Sequence, residues 1–507
     1  MINFSLTRRF TGFLCVFLGT ALISSLAKAE PTDPPKPLNL LIIQTDEHNF
    51  RTLGCYRDTL PKDQAFIWGL GAIVETPAID SIANRGAICT SFYATSPVCT
   101  PSRASFFTGR YPQNTGSPQN DRPLDNDQIT FAEVLRQAGY ATGYAGKWHL
   151  DGPGKPQWGP KRQFGFVDNR FMFNRGHWKK FELTSDGPKV AATNRKGEPT
   201  YGLADADASS FSTDWLTDRA MDFIRQHSGQ PFCYHLSLPD PHGPNTVRPP
   251  YDQMFLDMPV RPPRTFQMSQ ENPGWAPATG KNVVRKFNPA LMQQYFGMVR
   301  CIDDNVAKLL ALLEELQILS QTVVVVTSDH GDLCFEHGRL NKGNPYEGSA
   351  KIPMIIAAPG VIAPRTRVDN ALGTVDFAAT ILNLLGQEVP KQVQGRDASW
   401  LLLKRSEPAD WNDVTFLRAA SAKPSWVAAV TDQYKLVIST SDSPWLFDLA
   451  IDPDELANQF DRPVNRSIIK QLAKQLLDYG DRYDDEQIKA NQIRSQLLQI
   501  ADGMGEN

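Results

Sequence analysis

Cysteine is scarce in this chain, with seven residues in 507, which excludes a small disulfide-stapled scaffold. An excess of one charge is also missing: 52 Lys and Arg stand against 55 Asp and Glu, a net charge of −3. This balance excludes a general nucleic-acid binder, which needs a basic surface. Glycine (35) and proline (38) are too few for a collagen-like or low-complexity chain. The remaining class is a large globular protein, whose 41% hydrophobic residues can bury a sizeable core.

Long apolar runs are also lacking, apart from one at the N-terminus. Arg8 and Arg9 precede the apolar residues 10–26, and a small-x-small cleavage pattern follows at residues 27–29. A membrane anchor is the alternative, but the run contains Thr, Ser and Gly, is short for a span, and leads into a proline-rich segment. We therefore predict a cleaved signal peptide over residues 1–29. The mature protein is expected to be exported, periplasmic or secreted, without a stable membrane anchor.

The central part of the chain alternates strand and helix patterns. Continuous apolar, β-branched runs at residues 38–45, 140–145, 232–238 and 322–328 are typical of strands buried on both faces of a parallel sheet. Helical periodicity lies between them, most clearly at residues 291–317. The alternation predicts an α/β fold, with a large layered domain whose central sheet is mostly parallel and flanked by helices.

The pattern of predicted secondary structure changes near residue 400. Short strand patterns follow, and then a charged helical tail at residues 465–500. They predict a smaller C-terminal antiparallel sheet with a helix. The expected division is a catalytic domain over residues 30–403 and a C-terminal subdomain over residues 404–507.

Polar residues follow each of the four strand patterns directly. Because ligands gather beyond the carboxyl ends of strands in such sheets, these segments are expected to meet at one functional edge. The residues that follow the strands are Asp46, Glu47 and His48, then Lys147 and His149, then Asp240 and His242, and finally Asp329 and His330.

A separate segment carries the most specific pattern. Residues 97–110 read PVCTPSRASFFTGR, in which Pro101 suits the first turn of a helix and Gly109 suits its end. Cys99 would then lie at the positive end of the helix dipole, with Arg103 one turn further on the same side. Such a site attracts anions. A buried structural cysteine is the alternative interpretation.

This segment resembles the first signature of the type I sulfatase family, in the alkaline phosphatase superfamily, at every position. Residues 139–149, GYATGYAGKWH, resemble the second signature. A weaker resemblance runs over residues 38–403, and residues 446–458 resemble the family's C-terminal subdomain. The resemblance implies a sulfuric ester hydrolase in which a maturation enzyme oxidises Cys99 to Cα-formylglycine (3-oxoalanine). Its hydrated aldehyde is the implied nucleophile, and the second hydroxyl of the hydrate provides a route for releasing sulfate.

The resemblance also implies roles for five other residues. Arg103 and Lys147 match residues that hold the formylglycine, and His149 matches the base that triggers sulfate release. His242 matches the histidine beside the leaving-group oxygen, a general acid. Lys342 matches the lysine that binds sulfate.

A divalent metal is implied by carboxylates at the ends of two strands. Asp46 and Asp329 offer the oxygen ligands that calcium prefers. The family pattern has Asp-Asp and Asp-Asn at these places, whereas this chain has Glu47 and His330 at the second position of each pair. The imidazole moves the preference toward manganese. We expect Asp46, Glu47, Cys99, Asp329 and His330 to hold the metal, with Ca²⁺ favoured and Mn²⁺ as the alternative.

Other functions share parts of this pattern. Asp46 and the Asp329–His330 pair also resemble phosphonate monoester and phosphodiester hydrolases, which use the same formylglycine motif. A catalytically silent binder of sulfated glycans is a further alternative. Aromatic and basic residues crowd into residues 171–181, where they could stack on sugar rings and pair with sulfates. They favour a sulfated carbohydrate substrate over other sulfate esters, with core packing as the alternative interpretation of this segment.

Overall fold

The computed structural model describes residue 1 and residues 37–266, 272–489 and 492–503. Apart from Met1, the predicted signal peptide lies outside the described residues. Within the described ranges, no helix combines the length and the apolar character needed to cross a bilayer.

Strands occur throughout the described chain. In chain order they are β1 (Asn39–Asp46), β2 (Ala87–Cys89), β3 (Phe92–Tyr93), β4 (Ala141–Lys147), β5 (Asp168–Phe173), β6 (Phe181–Thr184), β7 (Gly187–Val190), β8 (Phe232–Pro241), β9 (Thr322–Ser328), β10 (Met354–Ala357), β11 (Thr366–Val368), β12 (Leu372–Gly373), β13 (Thr415–Arg418), β14 (Trp426–Val430), β15 (Tyr434–Ser439) and β16 (Trp445–Asp448).

Helices connect most of these strands. They are α1 (Gly54–Arg57), α2 (Lys62–Ala65), α3 (Pro77–Arg85), α4 (Cys99–Thr108), α5 (Phe131–Gln137), α6 (Ser212–His227), α7 (Tyr251–Met254), α8 (Pro289–Glu315), α9 (Glu347–Ala350), α10 (Phe377–Leu384), α11 (Ser399–Leu402), α12 (Arg466–Tyr483) and α13 (Gln492–Asp502).

The central sheet has eight strands in the order β11-β2-β10-β9-β1-β8-β4-β5. Every pairing is parallel except those of β10, which runs antiparallel to β9 and β2. The four strand patterns read from the sequence are β1, β4, β8 and β9, at the middle and one side of this sheet. The predicted α/β fold with a mostly parallel sheet is therefore confirmed.

Both faces of the sheet are covered, which explains the continuous apolar runs. Leu40 and Ile42 of β1 belong to one core cluster, together with residues of α4, α5 and α10. Leu41 and Ile43 point to the opposite cluster, which includes residues of α3, α6 and α8. Each of these four side chains is fully buried, and such burial contributes about 1.5–3 kcal/mol per side chain.

The C-terminal region forms the predicted antiparallel sheet, in the order β13-β14-β15-β16. One face of it, including Val427 and Leu436, packs on α12 and α13. The other face, including Ala428 and Phe447, packs against Trp275 and neighbouring aromatic residues. The predicted sheet and helix are confirmed, while the boundary at residue 403 stays a prediction.

Register brings the polar strand ends together. Thr45 of β1 pairs with Ser328 of β9, so the next residue of each strand, Asp46 and Asp329, lies at the same edge. On the other side of β1, β8 and β4 end at this edge as well. Gly146 of β4 has a φ of 104°, and a Cβ there would lie 1.8 Å from the Ser237 carbonyl oxygen, so only glycine fits this crossing.

Candidate active site

Cys99 begins helix α4 at the edge where the strands end. The helix is buried along its whole length and ends at Gly109, whose φ of 65° is left-handed, as the motif predicts. The Cys99 Sγ lies 3.3 Å from the Lys147 Nζ and 3.1 Å from the His330 Nε2. Burial opposes ionisation of Cys99, but the positive charges of Lys147 and His330 hold its pKa well below the usual value.

Arg103 lies one turn further along α4 and binds several strand ends at once. Its Nε donates to the Asp329 Oδ2 at 2.8 Å, and its Nη1 donates to the Lys147 carbonyl and the Ser237 hydroxyl, both at 2.8 Å. The guanidinium also pairs with Asp46 at 3.5 Å, and none of it is exposed. Arg103 therefore joins β1, β4, β8 and β9 to the helix that carries Cys99.

Four of the residues predicted to hold a metal meet at one point. Asp46, Cys99, Asp329 and His330 each offer one ligand atom, and these atoms all lie within 4.8 Å of one another. Glu47 is outside this group: its Oε2 lies 2.8 Å from the His242 Nε2. A metal role for Glu47 therefore stays a prediction.

The charges of this cluster fit a bound cation. Burial and the Cys99 charge oppose ionisation of Asp46, but Lys147, His242 and His177 together lower its pKa. Burial lowers the pKa of His330, yet Asp329 and Cys99 raise it to about 9. The cluster thus stabilises a positive charge at the His330 ring. A metal ion bound there would replace the proton.

His242 and Lys342 form a second group beside the cluster. The Lys342 Nζ lies 2.6 Å from the His242 Nε2 and 2.9 Å from the Glu47 Oε2. Burial would raise the pKa of Glu47, but His242 and Lys342 lower it to about 2. The His242 Nδ1 donates to the Gly243 carbonyl at 2.8 Å, so its Nε2 is the nitrogen that faces the site.

Two neighbours fix the His242 segment. The ring of His177 stacks on His242, with centroids 3.4 Å apart and planes 7° apart, and its Nε2 lies 2.9 Å from the Lys147 Nζ. Lys179 pairs with Asp240 at 2.5 Å, and both side chains are completely buried. Asp240 also accepts from the Thr213 hydroxyl at 2.8 Å.

His149 approaches the site from the end of β4. Its Nε2 lies 2.9 Å from the Asp121 Oδ1, and the Arg175 Nη1 lies 2.9 Å from the other oxygen of that carboxylate. The Thr100 hydroxyl donates to the His149 carbonyl at 2.9 Å, which ties His149 to the start of α4.

The structure thus brings the six predicted catalytic residues to one sheet edge, in two adjoining groups. Two residues at the site, His177 and Asp121, belong to no catalytic motif. His177 stands in the aromatic and basic segment, whose sequence favours substrate contacts, and Asp121 lies in a loop without any pattern.

The aromatic and basic segment is mostly core. Phe173, Trp178 and Phe181 are buried, and Lys179 is completely so. These rings are not available to stack on a sugar, so the core-packing interpretation holds for them. Arg175 and His177 remain partly exposed beside the site.

A cleft of about 650 Å³ opens next to His242 and Lys342. Backbone and side chains of the C-terminal region close one side of it. Its other lining residues are Val98, Asn120, Lys281, Asn282, Asn341, Gly343, Ala419, Ala420, Ser421, Ser425 and Trp426.

Comparison with known proteins agrees with this geometry. Residues 38–387 match the sulfatase family model, and residues 335–482 match the model of the C-terminal region of N-sulphoglucosamine sulphohydrolase. The chain is 26% identical to an N-acetylglucosamine-6-O-sulfatase of Bacteroides thetaiotaomicron, over 92% of this chain and 90% of that protein. It is 28% identical to an ulvan-active sulfatase of Formosa agariphila, over 90% of this chain and 84% of that protein.

Solved structures share the fold. One, a complex with its substrate D-glucosamine-2-N,6-O-disulfate, has a TM-score of 0.72 at 23% identity and covers 90% of this chain and 100% of its own. A phosphonate monoester hydrolase from Silicibacter pomeroyi has a TM-score of 0.67 at 23% identity, covering 89% of this chain and 97% of its own. With the family model matching more than half of its length, the chain belongs to the sulfatase family of sulfuric ester hydrolases, in the alkaline phosphatase superfamily.

Proposed function

We propose that this protein is an exported sulfatase that removes sulfate from a sulfated carbohydrate, using formylglycine made from Cys99 and a divalent metal. One observation supports this most directly. Cys99 lies at the start of a buried helix, 3.3 Å from the Lys147 Nζ and 3.1 Å from the His330 Nε2, within a cluster of carboxylates.

The implied groups fit the residues present. Formylglycine at position 99 would supply an oxygen nucleophile for attack on sulfur, held by Lys147 and by the positive end of α4. The metal would neutralise charge on the sulfate, with Asp46, Asp329 and His330 as ligands and Glu47 as a further candidate. The two aspartates favour Ca²⁺, and His330 keeps Mn²⁺ as the alternative.

The chain's own residues supply the proton and the binding charge. His242 presents its Nε2 to the site because its Nδ1 is engaged by the Gly243 carbonyl. It can therefore hold a proton for the departing oxygen of the substrate. Lys342, 2.6 Å from the same nitrogen, attracts the sulfate and favours release of that proton. His149, whose carbonyl accepts a hydrogen bond from Thr100 next to Cys99, is the base for sulfate release.

The cleft supports a carbohydrate as the leaving group. It adjoins His242 and Lys342, and its lining offers amides, hydroxyls and the Lys281 ammonium. Such groups suit the hydroxyls of a sugar and a further anionic substituent. The relatives named for N-acetylglucosamine-6-sulfate and ulvan support the same substrate class.

A second enzymatic candidate is a phosphonate monoester or phosphodiester hydrolase. The phosphonate monoester hydrolase of Silicibacter pomeroyi shares the fold, and the Asp329–His330 pair fits that class. Its substrates also require attack on a tetrahedral anion, so the same site would serve. A silent glycan-binding protein is the remaining alternative.

Mass spectrometry of the peptide containing residue 99, from the native host, tests the nucleophile. We expect the mass loss caused by replacing the thiol and one hydrogen with a carbonyl oxygen. Purified enzyme is then assayed on sulfated monosaccharides and on phosphonate monoesters. Cys99→Ala is expected to abolish turnover, whereas Cys55→Ala, at a half-buried cysteine, is expected to leave it unchanged.

The outcomes separate the candidates. Faster turnover of phosphonate monoesters than of any sulfated sugar would replace the proposed function by the second candidate. An unmodified thiol in mature protein would leave the glycan-binding alternative. The same peptide map, extended to the N-terminus, tests cleavage after residue 29 and with it the proposed export.

A further inference from the structure

The base His149 is held by a partner that belongs to no recognised motif. We infer that Asp121 is a positioning residue, which fixes the tautomer of His149 so that its Nδ1 accepts the proton during sulfate release. The inference rests on the proposed function, because it concerns the second half of that reaction.

The hydrogen bond fixes which ring nitrogen is protonated. The His149 Nε2 lies 2.9 Å from the Asp121 Oδ1, and an ionised carboxylate can only accept. The hydrogen of neutral His149 is therefore on Nε2, and Nδ1 carries the lone pair. Among the described residues, the His149 Nδ1 is buried and has no hydrogen-bond partner. This nitrogen is the one free to take a proton.

The His149 backbone is held next to the reacting position. The Thr100 hydroxyl holds the His149 carbonyl at 2.9 Å, next to Cys99 in the chain. Asp121 itself is anchored by Arg175, whose Nη1 lies 2.9 Å from the Asp121 Oδ2.

Backbone strain at both partners supports a functional role. His149 has a φ of 60° and Asp121 a φ of 65°, both left-handed, although neither is glycine. Such conformations cost about 1–3 kcal/mol each and concentrate at functional sites. The two residues lie in the loop after α4 and at the end of β4, and their side chains meet between these segments.

The proton transfer is balanced by the bonds around residue 99. The His149 Nδ1 takes the proton of the remaining hydroxyl at that carbon, and the O–H electron pair forms the carbonyl double bond. The bond from carbon to the sulfate oxygen breaks, and its electrons leave with sulfate. The carboxylate of Asp121 stabilises the imidazolium that results.

Two variants test the role of Asp121. Asp121→Asn removes the charge but tolerates the left-handed backbone, and Asp121→Ala removes the acceptor. The control is Asp127→Ala in the same loop, at an exposed residue whose carboxylate accepts a hydrogen bond from the Gln128 amide. General base catalysis contributes about 10²–10⁴-fold, so losing its positioning carboxylate is expected to lower kcat about 10- to 100-fold. Because the slowed step follows formation of the sulfated intermediate, KM is expected to fall in parallel and kcat/KM to change little.

The decisive readout is where the reaction stops. In the Asp121 variants, sulfate is expected to remain on the peptide containing residue 99 during turnover, as measured by mass spectrometry after acid quench. Wild type and Asp127→Ala are expected to show none. A lower kcat without retained sulfate would overturn the inference, since the loss would then lie before sulfate release.

A second readout does not depend on activity. In the Cys99→Ala protein, ¹⁵N spectra of the histidine rings are expected to show His149 protonated at Nε2, and Asp121→Ala is expected to produce both tautomers. An unchanged tautomer would overturn the inference. Wild-type protein without turnover of any sulfate ester would refute the proposed function alone, and the tautomer would still decide the role of Asp121.

Discussion

The buried pair of Lys179 and Asp240 leads to a prediction that links stability to activity. Both side chains are completely buried, with the Lys179 Nζ 2.5 Å from the Asp240 Oδ1. Replacing Lys179 by methionine keeps the apolar stem, which suits a site where the Met298 sulfur lies 3.2 Å from the Nζ. The Asp240 carboxylate then stays buried with the Thr213 hydroxyl as its remaining partner among these side chains.

The expected cost follows from that uncompensated charge. Removing one partner of a buried ion pair costs about 3–5 kcal/mol. A chain of 507 residues has an unfolding entropy of about 1 kcal/mol/K near its midpoint, so Tm is expected to fall by about 3–5 °C. Activity is expected to fall as well, because Asp240 stands two residues before His242. A small displacement of that imidazole can lower kcat about 10- to 100-fold.

Calorimetry and steady-state kinetics measure both effects, and the neighbouring residue provides the control. The Lys180 ammonium contacts the Ala204 carbonyl at an exposed position, so Lys180→Met is expected to change stability by less than about 0.5 kcal/mol. The double variant Lys179→Met with Asp240→Asn removes the stranded charge and is expected to recover about half of the loss. The reasoning fails if Lys179→Met and Lys180→Met have the same Tm. It also fails if the double variant is no more stable than Lys179→Met.

Three further predictions concern other parts of the molecule. Burial raises the pKa of Asp303 to about 6 in the folded state, so this residue's contribution to stability is expected to decrease as pH rises from about 4 to about 6. Denaturation of wild type and Asp303→Asn measures this effect. The difference between their free energies of unfolding should shrink over that pH range and then level off. His330→Asn is expected to shift metal preference from Mn²⁺ toward Ca²⁺, as titration calorimetry on chelator-treated protein would show, and equal shifts for both metals would contradict this. Gly146→Ala places a Cβ against the Ser237 carbonyl and is expected to cost about 3 kcal/mol in thermal denaturation, whereas Gly229→Ala, with open space around it, should be neutral.

The central sheet could be predicted because its strands carry their signal locally. Residues 322–328 contain four consecutive valines, a pattern typical of burial on both faces, and they form β9 in the middle of the sheet. Strands β2 and β11, each three residues long, carry too few residues for such a pattern. The antiparallel course of β10 depends on the connection after β9 and cannot be read from its own residues.

The same limit applies to the site. Cys99 and Lys147 stand in long motifs, so sequence alone identifies them. The sequence around Lys179 favours a substrate-binding cation, because its burial depends on Asp240, 61 positions away. The role of Asp121 cannot be read from the sequence for the same reason. It depends on the contact with His149, whose Nε2 lies 2.9 Å from the Asp121 Oδ1 only in the folded chain.

The position of the candidate metal site follows from sheet register rather than from any single loop. Because Thr45 and Ser328 are partners in a parallel pair, the next residues, Asp46 and Asp329, must lie side by side at the carboxyl edge. Arg103 then binds both carboxylates from a helix that packs on one face of that sheet. A slip of one residue between β1 and β9 would reverse every side chain of one strand and separate the two carboxylates. The valines of β9, buried on both faces, therefore stabilise the register on which the candidate metal site depends.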